Sequence, residues 1–139
     1  MKIHHLGLVS NNIEGLIKSL NINKSSISET INDPVQNNKL QFIYLSENKL
    51  WLELIEPSNE KSTTYKFVKK NGQGLHHIGV TCDSIEQVEN SYSNLEDALV
   101  VGRYDINVKS FGGNIKTLFM VIKGLIIEFV KINNTSPNK

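Results

Sequence analysis

The same short string occurs twice in this chain. Residues 3–10 read IHHLGLVS and residues 75–82 read LHHIGVTC. The spacing that carries His5 onto His77 also carries Gly7 onto Gly79, Ile13 onto Ile85 and Glu14 onto Glu86. Whatever fold the chain takes must therefore accommodate two copies of one unit. Each copy opens on a β-branched and apolar run, which reads as a strand, and continues into a helical pattern. In the first copy Asn11 is placed to cap with Glu14 three residues on, and Ile13, Leu16, Ile17 and Leu20 share one face. In the second, Asp83 caps with Glu86, and Ile85, Val88, Tyr92 and Leu95 form the equivalent stripe.

Both halves also finish alike, on a strand that carries a glutamate among apolar neighbours. In the first, Leu40 to Leu45 and Lys49 to Ile55 read as strands joined by the polar turn Ser46-Glu47-Asn48. In the second, Ile115 to Ile122 and Leu125 to Lys131 are joined near Lys123-Gly124. Arg103 to Lys109 supplies a further strand, with Ser25 to Thr30 as its weaker counterpart. A helix over Ser62 to Lys70, stopped by Asn71-Gly72, joins the halves. The reading is α+β: two tandem β-α-β-β-β modules in a single domain spanning 1–139. The first module covers about 1–57, the helical linker 58–74, the second module about 75–131, and a polar, fraying tail 132–139.

Composition narrows the function classes. The chain has 139 residues and 39% hydrophobic content, enough for one modest core. Fifteen basic and fourteen acidic side chains leave a net charge of +1, with the lysines scattered, which argues against nucleic acid as a partner. No apolar run approaches the roughly 20 residues of a membrane span, and MKIHHLG lacks the apolar core of a signal peptide. These features point to a soluble, cytoplasmic protein with no membrane partner. The single cysteine, Cys82, excludes an internal disulfide and a CxxC zinc site, and reads as a small core residue. A metal would have to be held by His, Asp or Glu.

Strand alternation sorts the polar residues by face. Glu53 lies with Trp51 and Ile55, opposite Leu50, Leu52 and Leu54; Glu128 lies with Ile126 and Val130, opposite Ile127 and Phe129. A carboxylate with apolar residues on both sides of its strand is costly to bury unless something positive meets it. Each half thus offers one His early and one Glu late. If the halves pack by pseudo-twofold symmetry, His5, Glu53, His77 and Glu128 converge on one divalent ion such as Zn, Co, Ni, Mn or Fe. His4 and His76 would face the other way, to pack or hydrogen-bond, and Trp51 would sit in core or pocket wall. Taken singly, each mid-strand His or Glu is more often solvated or locally paired than a ligand, and a metal-free binding fold is the competing reading. The duplication favours the metal.

These residues resemble the vicinal oxygen chelate superfamily of glyoxalase I, extradiol dioxygenases and methylmalonyl-CoA epimerase. The similarity is densest to the epimerase branch and runs from Ile3 to Lys131. It rests on IHHLGLVS, on LWLELIEP at 50–57, on STTYKFVKKNGQGLHHIGV at 62–80, on GGN at 112–114 and on LIIEFVK at 125–131. The resemblance implies paired modules forming an open, cupped mixed sheet around one metal, commonly in a homodimer. It implies a substrate that presents a carbonyl or enolate oxygen to the metal while a base removes an adjacent carbon-bound proton, an acyl-CoA thioester or a hemithioacetal being the candidates. The chain departs from the family after Leu20, where the first half is shortened, and before its last ligand strand, where the turn is short. An acid/base glutamate of some epimerases falls at or near Gln41, whose amide cannot shuttle a proton. Glu128 then becomes the expected base, with Glu53 as its rival. Gly112, Gly113 and Asn114 are the expected substrate contacts, against the plainer reading of a strand-to-strand turn. A non-catalytic, drug-sequestering protein and a glutathione-dependent glyoxalase are the alternatives on this fold.

Overall fold

The structure, a computed structural model, describes residues 1–132. In chain order the elements are β1 (Ile3–Val9), α1 (Ile13–Ser19), β2 (Ile27–Asp33), β3 (Asn38–Leu45), β4 (Leu50–Pro57), α2 (Tyr65–Asn71), β5 (Gly74–Thr81), α3 (Ile85–Tyr92), β6 (Ala98–Val108), β7 (Gly113–Ile122) and β8 (Leu125–Ile132). Among the described residues, eight strands in mixed sheet and three α-helices make the protein α+β, in keeping with the duplicated pattern. The described residues form two compact units, one from His5–His77 and one from Met1–His4 with residues 78–132. The tail expected beyond Ile132 lies outside the described residues. Among the described residues no helix is long and apolar enough to cross a membrane.

In the first unit the strand order is β2-β3-β4-β1. β1 and β4 are parallel, with His5 opposite Trp51 and Gly7 opposite Glu53. β3 is antiparallel to β4, with Phe42 opposite Glu53. One face of this sheet is closed by α1: Ile13, Leu16 and Ile17 pack on Ile43, Leu52 and Leu54. The helix starts one residue later than the capping-box spacing suggested. Asn12, not Asn11, is the N-cap, and its side chain accepts from the Gly15 amide at 3.0 Å. Glu56 at the end of β4 accepts from the Ile13 amide at 2.8 Å, satisfying another of the amides that open a helix. Leu20, assigned to the buried stripe, is the exposed C-cap.

The linker helix is shorter than Ser62 to Lys70 because its first residues are engaged elsewhere. The Ser62 and Thr64 hydroxyls both donate to the buried Asn38 side-chain oxygen, so helical geometry begins at Tyr65. It ends at Gly72, whose φ of 74° suits glycine, in agreement with the Asn71-Gly72 stop.

The second unit repeats the plan in the order β5-β8-β7-β6. β5 and β8 are parallel, with Gly79 opposite Glu128, and β7 is antiparallel to β8, with Phe119 opposite Glu128. Here α3 covers Val80, Leu118, Met120 and Phe129 with Ile85, Val88 and Tyr92. Its cap is Ser84, accepting from the Gln87 amide, and not Asp83; Leu95 lies beyond the helix and is exposed. β6 begins at Ala98, well before Arg103, with a register shift between Val100 and Gly102. Its weak counterpart also exists, as a one-turn helix at Lys24–Ser26 followed by β2. Lys123 and Gly124, at φ 51° and 84°, form the tight turn between β7 and β8.

Candidate metal centre

Three of the expected ligands come together inside the first unit. His5 is on β1, Glu53 on β4, and His77 on β5. All three are buried, at 1%, 9% and 2% exposure. His5 and Glu53 share a face because Trp51 opposite His5 and Glu53 itself are two residues apart on β4. The other face of β4 is taken by Leu52 and Leu54 under α1, as alternation predicted.

The His5 and His77 rings stand nearly perpendicular, at 82°, with their Nε2 atoms 3.0 Å apart. His77 Nε2 is also 3.3 Å from Glu53 Oε1. A metal bonds nitrogen and oxygen at about 2.0–2.2 Å, so adjacent ligands around it stand about 2.8–3.6 Å apart from octahedral to tetrahedral geometry. Both spacings fall in that interval. The chemistry of the set agrees: two imidazole nitrogens and a carboxylate oxygen converge where one imidazole proton can serve only one contact, and a shared cation serves all three. The buried His/Glu group is able to hold a metal, and no pair of its ligand atoms exceeds 4.8 Å.

Gly7 makes this convergence possible, a role its sequence context did not disclose. A Cβ on Gly7 would stand 2.1 Å from His77 Cε1, 2.4 Å from Nδ1 and 2.6 Å from Nε2. The His77 ring thus occupies the space that any other residue at position 7 would fill. A lone glycine inside an apolar strand was the available signal.

Glu128, the fourth expected ligand, is buried on β8 of the second unit, between Gly79 and Phe119 in register. Its setting copies that of Glu53, which lies between Gly7 and Phe42. Gln41 is opposite Leu54, so it points to the α1 side, away from Glu53; its amide donates to Thr30 Oγ1 at 3.3 Å. A carboxylate that does share the Glu53 face is Glu29, half-buried on β2 opposite Phe42. Sequence reading passed over it because β2 was the weakest strand.

The remaining expected residues fall as follows. His4 packs edge-on against Phe111 at 4.5 Å. His76 packs edge-on against Phe67 at 4.8 Å and brings its Nδ1 to 2.9 Å from His77 Nδ1. Trp51 is half-buried against Tyr44. Cys82 is half-buried beside the second core, and burial, with Asp83 adding to it, pushes its thiol above the usual range. Gly112 and Gly113 adopt φ of 94° and 119°, which explains both glycines through the turn into β7. Asn114 accepts from the Asn107 side chain at 2.9 Å.

The glyoxalase/bleomycin resistance protein/dioxygenase superfamily model matches residues 4–104. The chain belongs to this superfamily. An uncharacterized Bacillus subtilis (strain 168) protein, YqjC, is 28% identical over 86 residues, 62% of this chain and 61% of that protein, so the match spans about three fifths of its length. Among solved structures, methylmalonyl-CoA epimerase from Mycobacterium tuberculosis superposes with a TM-score of 0.78 at 15% identity, covering 96% of this chain and 89% of that one. A variant of the Streptomyces coelicolor epimerase, in complex with 2-nitronate-propionyl-CoA, gives 0.75 at 20% identity over 96% and 99%. At these identities the likeness is one of fold.

Proposed function

We propose that this superfamily member is a divalent-metal enzyme that removes a proton next to a carbonyl, in the manner of an epimerase or glyoxalase. The observation that carries the reading is the buried His5-His77-Glu53 convergence at the spacing of adjacent metal ligands. Glu128 is assigned as fourth ligand, on the strength of a burial and a strand environment that duplicate those of Glu53. The candidate metals are Co, Ni, Zn, Mn and Fe. When bound, such an ion acts as a Lewis acid toward a carbonyl or enolate oxygen.

The protein's own part is positioning and proton transfer. His5 and His77 fix two directions of approach from strands whose backbones are pinned by the sheet. Apolar neighbours such as Phe42 and Ile55, both buried, limit water around Glu53. Glu128 is assigned the proton transfer, as a buried carboxylate that would also help hold the metal and would act as base at the carbon next to the carbonyl. Gly112, Gly113 and Asn114 are assigned to substrate contact through backbone approach and the Asn114 side chain. An acyl-CoA thioester is favoured over a hemithioacetal by the 2-nitronate-propionyl-CoA bound in the Streptomyces structure. A homodimer is proposed as the working assembly.

The test is solvent-deuterium incorporation, followed by NMR, into a panel of acyl-CoA thioesters and hemithioacetals with metal-stripped and metal-reloaded protein. Exchange that requires metal and is abolished by Glu128→Gln supports the reading; exchange lost in Glu53→Gln and kept in Glu128→Gln would exchange their roles. Ligand binding undiminished by metal removal, with no exchange, would instead make this a sequestering protein. Sedimentation analysis decides the dimer.

A further inference from the structure

His4 and His76 are the histidines that the proposed metal chemistry leaves unused, and the placement of His76 gives it a task. Its Nδ1 stands 2.9 Å from Nδ1 of His77, while His77 Nε2 is the atom turned to His5 and Glu53. The rings of His76 and His77 are perpendicular, at 90°, and the His76 ring is braced edge-on by Phe67 at 85°. Two imidazole nitrogens at this separation share one proton. If that proton sat on His76, His77 would carry its own on Nε2, directed at its neighbours in the cluster. If it sits on His77 Nδ1, the Nε2 lone pair points into the cluster.

We infer that His76 is a positioning residue that accepts a hydrogen bond from His77 Nδ1–H and thereby holds His77 in the tautomer whose Nε2 can bind a metal. The inference rests on the metal reading for its purpose and on the hydrogen bond for its existence. Outer partners of this kind orient a ligand imidazole and raise its basicity. A histidine as the outer partner carries its own proton on Nε2, so the contact is a neutral hydrogen bond. The Phe67 ring restricts the swing that would break it.

Two variants separate this role from simple packing. His76→Phe keeps an aromatic ring against Phe67 but removes the acceptor, and His76→Asn puts an amide oxygen close to where Nδ1 stood. Titration with Co²⁺ alone should show affinity roughly 10- to 100-fold weaker in His76→Phe, and largely restored in His76→Asn. Histidine ¹⁵N shifts of the metal-free protein, read at one fixed pH, should show His77 protonated on Nδ1 in the wild type and in His76→Asn. In His76→Phe they should show a mixture or the other tautomer. The tautomer measurement stands without any metal, so a wild-type protein that bound no Co²⁺ would overturn the metal reading while the spectra still decided the inference. An unchanged His77 tautomer in a folded His76→Phe, or equal Co²⁺ affinity in all three proteins, would overturn it.

Discussion

Gly7→Ala adds one methyl group to a strand interior whose backbone accepts any residue, so its consequence is purely steric. The new carbon would meet three His77 ring atoms at 2.1, 2.4 and 2.6 Å, where ordinary contact begins near 3.4 Å. Relief requires the imidazole or the strand to move by about 1 Å, since neighbours in a close-packed interior yield little. A displacement of that size takes His77 Nε2 out of its 3.0 Å and 3.3 Å relations to His5 and Glu53. Overpacking should cost about 1–3 kcal/mol in the metal-free protein. The loss of ligand geometry should weaken Co²⁺ binding by at least the roughly 10-fold seen for disturbed outer partners. Urea unfolding of the stripped protein and Co²⁺ titration of the folded one measure the two effects separately. Gly74→Ala is the internal control, because a Cβ there meets nothing within 4 Å. If Gly7→Ala matched Gly74→Ala in both stability and Co²⁺ affinity, the steric argument and the ligand assignment of His77 would fall together.

Three further outcomes are expected. Co²⁺ at about 100 times its dissociation constant should stabilise the wild type by about 2.7 kcal/mol, visible as a higher melting temperature, and His5→Ala should abolish most of that rise. Asn38→Ala should cost about 1–3 kcal/mol in urea unfolding, because it removes the acceptor of two buried hydroxyls, Ser62 and Thr64. Burial disfavours the Cys82 thiolate, so at pH 8 the native thiol should react with Ellman's reagent more slowly than a free cysteine. Its rate should climb at higher pH than usual, and unfolding should restore the ordinary profile.

The sequence disclosed most of this architecture because the code was written twice. Glu53 and Glu128 were legible as a pair since alternation leaves each on a strand without a solvent side, and the register bears this out with buried carboxylates in both units. The helix caps were misplaced by one residue in the same direction, Asn11 for Asn12 and Asp83 for Ser84. In both cases the three-residue spacing to a glutamate outweighed the first core-facing side chain, buried Ile13 or partly buried Ile85, as the marker of the helix start. What composition could not show was anything set by register between distant strands. Gln41 and Phe42 are neighbours in sequence, yet only the pairing of β3 with β4 decides which of them shares a face with Glu53.

That register also shows where the duplication stops. Across the first unit the row reads Gly7, Glu53, Phe42 and then Glu29; across the second it reads Gly79, Glu128, Phe119 and then Gly102. The first three places are the same in both. In each, a buried carboxylate is flanked by glycine on one strand and phenylalanine on the other, and in the first unit the glycine leaves the space that the His77 ring fills. The fourth place differs in kind: a half-buried carboxylate in one unit, and in the other a glycine whose missing Cβ makes room for the Tyr104 ring at 2.6 Å. A substrate has no twofold symmetry, so residues that meet it have no reason to be copied. The break in the repeat at Glu29 and Gly102 therefore marks where the shared glycine-glutamate-phenylalanine pattern ends and the two units differ.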